Sequence, residues 1–466
     1  MRIDPILDAF DLLTRRDGSA PCVATRERAA SRADVAAWAD AAAASLATCR
    51  APRGGYVLVA CANGAGFLAA VVGARRAGLV PVLADWASPP KERARIAAAL
   101  GVAARITCDE VFPSGAASFQ IDRGEGKPSV APEGAGFVKL TSGSSGAPSG
   151  VAIASEALAA DDEQLTAAMG LRPSDRFVAA IPWSHSYGLS SLVMPALRRG
   201  CLLVVPSDAS PWAALESASA LSATVFPTVP VYLQTIASLA APPKWPETLR
   251  TVISAGAPLS GETAARFKET FGRDAHVFYG ASESGGITYD RDGGAASRGT
   301  VGAPIDGVAV ALDEDGVVTV RSRAVGLSRI PEQDGFIQDG VFRSADLAAW
   351  TEGGELALLG RTDTLINVGG KKVQPAEIER VLRAMPGVRD AVVIGVAAAG
   401  DDRALVRAFL ACDPSISYAA VAAWCRERLA GHKVPRSIVR LAEIPRTARG
   451  KVDRAALSAL AAAPER

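Results

Sequence analysis

Between Phe137 and Val151 the chain reads Phe-Val-Lys-Leu-Thr141-Ser142-Gly143-Ser144-Ser145-Gly146-Ala147-Pro148-Ser149-Gly150-Val. An apolar run leads straight into a segment of glycines and hydroxyl side chains. Glycines permit the tight turns in which successive backbone N–H groups converge, and the Thr and Ser hydroxyls add further donors. Such convergent donors suit a polyphosphate, so the segment reads as an anion cradle. It is not the Gly-x-x-x-x-Gly-Lys-[Ser/Thr] loop, because no Lys-Ser or Lys-Thr follows at that spacing. Composition alone also fits a flexible Gly/Ser loop.

Residues 141–151 resemble the hallmark Thr-Ser-Gly-[Thr/Ser]-[Thr/Ser]-Gly-x-Pro-Lys-Gly-Val of the adenylate-forming superfamily, which includes acyl-CoA synthetases, peptide-synthetase adenylation domains and firefly-type luciferases. Every position matches except the lysine, which is Ser149 here. The resemblance implies that Thr141, Ser142, Gly143, Ser144, Ser145 and Gly146 bind nucleotide. It also implies that Ser149 removes one charge from a loop touching the β- and γ-phosphates, which bears on ATP affinity more than on the reaction. Tyr279-Gly280-Ala281-Ser282-Glu283 resembles the family's Tyr-Gly-x-[Thr/Ser]-Glu. That match implies Tyr279 against adenine, Gly280 and Ser282 in the nucleotide site, and Glu283 toward Mg²⁺. A carboxylate beside a triphosphate needs such an ion to relieve repulsion.

Phe342-Arg-Ser-Ala345-Asp346-Leu is similar to Tyr-Arg-Thr-Gly-Asp-Leu, making Asp346 a candidate for the ribose hydroxyls, with Ala345 in place of the usual glycine. Gly360-Arg361-Thr362-Asp363 resembles the family's inter-domain hinge, with Arg361 near the ribose and Asp363 as the residue whose torsions change. Gly369-Gly370-Lys371-Lys372-Val373 resembles the next strand-turn and implies Gly369 and Gly370 beside a channel for a pantetheine thiol. Pro445-Arg-Thr-Ala-Arg-Gly-Lys451-Val-Asp-Arg454 resembles the terminal motif that carries the family's catalytic lysine, here Lys451. Taken singly, each C-terminal charge also reads as a solvated side chain. The resemblance runs over about residues 20 to 455.

What it implies is activation of a carboxylic acid by ATP and Mg²⁺, with CoA as co-substrate. A carboxylate is already ionised at neutral pH and attacks the α-phosphate without a general base, so the site has chiefly to supply positive charge. Ile181-Pro-Trp-Ser-His185-Ser-Tyr-Gly188 resembles the acyl- and aryl-CoA synthetase pattern, in which His185 guards the acyl carboxylate; a hydrogen-bonded core histidine is the other reading. His276 and His432 read as structural. Amino-acid-activating members of the family place an Asp in this region to bind the substrate ammonium; residues 181–190 contain none, so the resemblance implies a neutral aryl or fatty acid. By position relative to the family's motifs, the resemblance implies that Phe226, Gly256, Ala257 and Gly280 wall the acyl pocket. The thiol acceptor is CoA, toward whose phosphate Lys371 and Lys372 would face, or the arm of an acyl carrier protein supplied by another chain.

Two other readings stand beside this one. Ser149 and Ala345 fit a degenerate homologue that binds ligand without catalysis. Gly64-Ala-Gly66-Phe-Leu-Ala69 with Asp85 fits a dinucleotide-binding oxidoreductase, although helix–strand packing explains the glycines as well.

The elements that must hold these residues follow from apolar periodicity. Short runs at Val57–Ala60, Val80–Leu83, Leu202–Val205 and Thr251–Ser254 alternate with longer Ala- and Leu-rich helical stretches, which predicts α/β layering around mostly parallel sheets. Phe67–Ala74 reads as a buried helix. From about Ala311 to Leu359 short strands and Gly turns predict a β-rich subdomain. Beyond it, Pro375 with Ile378, Val381, Leu382 and Met385 predicts an amphipathic helix, and Ala391–Gly395 a strand. The expected organisation is therefore a large domain, 1–360, and a small α+β unit, 361–466, and the resemblance implies that the first is the AMP-binding domain and the second its mobile lid.

Fifty Lys and Arg against 49 Asp and Glu leave no global field for nucleic acid or an anionic membrane. The N-terminus carries acids and no long apolar run, so neither a signal peptide nor a membrane span is expected. Seven scattered cysteines without a Cys-x-x-Cys pair point to a reducing cytoplasm.

Overall fold

The computed structural model describes residues 4–141, 148–332, 335–368, 371–398, 401–446 and 452–462. The chain divides into two compact units, one of Met1–Ala311, Thr319–Arg343 and Glu352–Leu356, the other of Leu312–Val318, Ser344–Thr351 and Ala357–Arg466.

The first unit is built on two sheets. In the seven-stranded sheet, Ala135–Thr141, Val80–Leu83, Tyr56–Cys61 and Ala104–Cys108 run parallel side by side, and antiparallel strands close both edges. Tyr56–Cys61 is buried at every position, as expected for a central parallel strand covered on both faces. In the nine-stranded sheet, His276–Ala281, Thr251–Ser254, Val225–Thr228, Arg176–Val178, Leu202–Val204 and Pro21–Ala24 are parallel. The expected helix is present as Ala65–Arg76, with Ala65 to Ala74 buried throughout. It packs closely on helix Arg32–Ala47 because position 73 is glycine: a Cβ there would lie 2.7 Å from the Ala39 carbonyl oxygen. Helices and parallel strands thus alternate as the sequence predicts.

The expected β-rich stretch appears as Ala309–Leu312, Val317–Arg321, Ser328–Ile330, Ile337–Gln338, Val341–Trp350 and Leu356–Arg361.

In the second unit, Asp401–Cys412 pairs antiparallel with Val388–Ala398 and parallel with Ser437–Leu441. Successive strand residues serve opposite faces. Ala391 and Val393 pack with Ile378 and Leu382 of helix Pro375–Arg383, while Val392 and Ile394 pack with Phe409, Ile444 and Leu457. Two covered faces explain why 391–395 reads as an unbroken apolar run. All seven cysteines are buried and free. Among the described residues no helix is long and apolar enough to cross a membrane.

Candidate active site

In α/β sheets, ligands gather beyond the carboxyl ends of parallel strands. In the first unit the chemistry-bearing residues nominated from sequence follow such ends. Thr141 ends Ala135–Thr141, Asp85 follows Val80–Leu83, the 181–190 turn follows Arg176–Val178, and Glu283 follows His276–Ala281. Thr141 pairs in register with Ser149, and their hydroxyl oxygens lie 2.9 Å apart. Ser142 to Gly146, like Gly369, Gly370 and Lys451, lie outside the described residues.

The Glu283 turn is fixed by glycines and one buried carboxylate. A Cβ at Gly280 would come within 2.6 Å of the Gly285 carbonyl oxygen, and Gly285 adopts φ +71° against Asp161. Asp161, from helix Ser155–Met169, accepts from the Gly286 N–H at 2.9 Å and from Ser190 Oγ at 2.6 Å. Glu283 is 6% exposed, and Arg329 donates to its Oε1 from Nη2 at 2.6 Å and from Nε at 3.2 Å. The Arg329 guanidinium also lies over the Phe336 ring, 4.3 Å from its centroid. Arg329 was not legible in the sequence, because nothing local to 328–330 connects it to a turn 46 residues away.

Ser282 joins this turn to the next, its Oγ lying 2.6 Å from Ser186 Oγ. His185 precedes Ser186 at the start of a short helix, with Nε2 3.5 Å from Asp85 Oδ2. Asp85, the candidate ribose ligand of the oxidoreductase reading, is thus placed against the histidine. The turn is clamped by Asn63, which donates to the Ile181 carbonyl at 3.0 Å and accepts from the Trp183 N–H at 3.0 Å. Gly188 is required here, since a Cβ would lie 2.1 Å from the Pro182 carbonyl oxygen. Gly64 and Gly66 serve packing as well: Cβ atoms there would lie 2.6 Å from the Val111 carbonyl oxygen and 2.8 Å from Cys108 Sγ. Asn63→Ala leaves two backbone groups without their partner, and we expect a loss of about 1–3 kcal/mol in stability together with a raised KM for the acid, measured by thermal unfolding and steady-state kinetics.

The remaining first-unit positions are less uniform. Tyr279 is half-buried, and Gly280, Gly256 and Ala257 are exposed. Phe226 is fully buried among Val178, Val252 and Phe267, a core position rather than an open wall. Tyr187, which the sequence did not single out, donates its hydroxyl to the Ile253 carbonyl at 2.8 Å, and burial pushes its phenol well above the ordinary value. His276 donates from Nδ1 to the Asp290 carbonyl oxygen at 2.8 Å, the structural role expected of it.

In the second unit, Asp346, Arg361 and Asp363 form one cluster. Arg361 reaches Asp346 Oδ1 with Nη1 at 2.9 Å, and holds Asp363 through Nε at 2.9 Å and Nη2 at 2.8 Å. This fork of charged hydrogen bonds holds the Asp363 carboxyl below the usual carboxylate range. Because the folded value is depressed, the contribution to stability is present above the unfolded pKa of about 4 and is lost as pH falls through the folded value. Arg361→Gln should return Asp363 to ordinary titration, read by carboxyl NMR. Lys371 and Lys372 are exposed on the strand Lys371–Val373.

Residues 13–326 match the family of AMP-binding enzymes, and 377–451 match the AMP-binding enzyme C-terminal domain. The chain is an AMP-binding enzyme. Such an enzyme is an AMP-forming acid–thiol ligase: ATP converts a carboxylic acid to its acyl-adenylate, and a thiol then takes the acyl group. Among curated relatives, this AMP-binding enzyme is 30% identical over 356 residues to a feruloyl-CoA synthase of Amycolatopsis sp, covering 72% of each chain. It is 27% identical to a 3-hydroxybenzoate–CoA ligase of Aromatoleum sp., covering 70% of this chain and 66% of that one. Its fold is that of ATP-bound MatB from Rhodopseudomonas palustris, with a TM-score of 0.84, 23% identity and 99% of each chain covered. O-succinylbenzoate CoA synthetase from Bacillus subtilis with AMP is similar at a TM-score of 0.82, 21% identity and 98% coverage of both chains.

Proposed function

We propose that this AMP-binding enzyme activates a neutral carboxylic acid, aryl or fatty, and passes the acyl group to CoA in the cytoplasm. The observation that carries the reading is the Ser186–Ser282 contact of 2.6 Å, which ties the His185 turn to the Glu283 turn beyond the carboxyl ends of two strands of the same sheet. In this reading one turn serves an acyl carboxylate and the other a nucleotide, and the hydrogen bond between them supports acid and phosphate lying side by side. Aromatic acid–CoA ligases among the relatives support the acid class. Buried free cysteines support a reducing compartment.

In this reading Thr141, Tyr279, Gly280 and Ser282 bind nucleotide together with the loop 142–146. His185 orients the acyl carboxylate near Gly256 and Ala257. The carboxylate attacks the α-phosphate in line, the bond to pyrophosphate breaks, and Lys451 stabilises the charge that develops. Asp346 and Arg361 hold ribose. Residues 361–466 act as a lid turning at Asp363, and Gly369 and Gly370 flank the thiol's path. The thiolate attacks the acyl carbon and AMP departs.

The donor set fits Mg²⁺. Among the described residues no group of three or more His, Cys, Asp or Glu could cage a metal, and Mg²⁺ ordinarily takes one or two carboxylates plus phosphates and water. Glu283 is such a carboxylate, and the ion would supply charge neutralisation at the phosphates.

The test is pyrophosphate release with ATP and a panel of aryl, short, medium and long carboxylic acids and amino acids, with and without CoA. Release confined to aryl or fatty acids and stimulated by CoA is the expected result. Release with amino acids alone overturns the acid class. Release that only a carrier protein stimulates moves the acceptor, and none with any acid favours a ligand-binding homologue.

A further inference from the structure

Lys139 stands two residues before Thr141 in a strand that is otherwise apolar from Phe137 to Leu140. Alternation along the strand puts the two side chains on the same face, about 6.6 Å apart along it. Lys139 is 1% exposed, and its Nζ has no hydrogen-bond partner among the described residues. An ammonium carries three donors, and burying it with none of them used is costly. The carboxylates acting on it are Asp161 and Glu283. Both are already engaged, Asp161 by Ser190 and the Gly286 N–H, Glu283 by Arg329.

The two carboxylates offset this cost only through space, with no hydrogen bond to the amine among the described residues, and a methionine or leucine would fill the same space without the cost. Sites that retain such a cost are commonly ones where ligand binding needs it. The neighbouring strand supplies the second observation. Ser149, facing Thr141 in register, stands where the family places a lysine, and its hydroxyl meets Thr141 Oγ1 rather than presenting a charge. The position where the family's phosphate loop carries a lysine thus has no charge on one strand, while a buried amine with no hydrogen-bond partner among the described residues stands on the strand beside it.

We propose that Lys139 supplies the ammonium absent at Ser149, binding the phosphate oxygens of ATP from the strand that enters the loop. Burial lowers the pKa of this amine below the usual lysine value, and the negative charge of a phosphate beside it would favour the charged form. The long, flexible stem lets the charge move toward the Thr141 end of the strand when the nucleotide arrives. The inference rests on the nucleotide-binding reading of this face and is independent of the acid and of the thiol acceptor.

The experiment compares the full chain with Lys139→Met and with Lys139→Met/Ser149→Lys. It measures unliganded Tm and, by calorimetry, the affinity for a non-hydrolysable ATP analogue without acid or thiol. We expect Lys139→Met to keep or raise the unliganded Tm while weakening the analogue by about 10-fold to 100-fold, the range of one charged hydrogen bond. The double variant should recover most of that loss. Unchanged analogue affinity in Lys139→Met overturns the inference and leaves the proposed function standing. So does a fall in both Tm and affinity that Ser149→Lys does not repair, since that pattern marks a structural lysine. Absence of analogue binding by the unmutated chain overturns the proposed function as well.

Discussion

Lys451→Ala should lower acyl-adenylate formation by about 10²- to 10³-fold, the usual cost of removing one preorganised charge donor, while leaving thioester formation from a supplied acyl-adenylate within a few-fold of the unmutated enzyme. The two half-reactions place charge differently. Adenylation loads charge onto the α-phosphate and the departing pyrophosphate, and the Lys451 ammonium is the side chain assigned to meet it. Thiol transfer begins after pyrophosphate has gone and breaks the bond between acyl carbon and phosphate oxygen. Pyrophosphate release and CoA-dependent consumption of synthetic acyl-adenylate read the two steps separately. An equal loss in both would remove Lys451 from its assigned role.

The second large effect belongs to Glu283. Glu283→Gln keeps the shape and an acceptor for Arg329, whereas Glu283→Ala leaves the guanidinium without the partner it holds at 2.6 Å. The alanine variant should therefore lose about 1–3 kcal/mol of stability, and the glutamine variant much less. Both should lose about 100-fold in adenylation and require more Mg²⁺ for half-maximal rate, because neither retains the carboxylate. Thermal unfolding and a Mg²⁺ titration of pyrophosphate release separate the two contributions. If the glutamine variant kept full activity, Glu283 would be only the counter-ion of Arg329.

Arg329 sharpens the meaning of that experiment. Its guanidinium bonds Glu283 Oε1, so a divalent ion held by this carboxylate would bind beside a positive charge. The Asp346–Arg361–Asp363 cluster poses a similar question in the second unit, since the residues assigned to the ribose bond one another here. Nucleotide binding through them would exchange these charged hydrogen bonds for ribose contacts.

The oxidoreductase alternative loses its support on physical grounds. The Gly64 and Gly66 positions are dictated by the approach of Val111 and Cys108, and Asp85 lies against His185. Asn63 immediately precedes them and fastens the Trp183 backbone. A glycine spacing that mimics a dinucleotide loop here reflects close packing of a helix on a sheet.

The linear sequence by itself determined the layered α/β architecture, the strands Tyr56–Cys61, Val80–Leu83 and Thr251–Ser254, the helix at Pro375 and the order of the motifs. These are local properties: apolar period, glycine placement and contiguous residue types suffice for them. The tertiary structure decided which distant residues meet. It brought Arg329 to Glu283, Asp85 to His185 and Ser186 to Ser282, and it set Phe226 in the core and Lys139 in a buried site without a hydrogen-bond partner among the described residues. Such pairings depend on sheet order and on how far each strand extends past its neighbour, and a linear pattern of side chains carries neither.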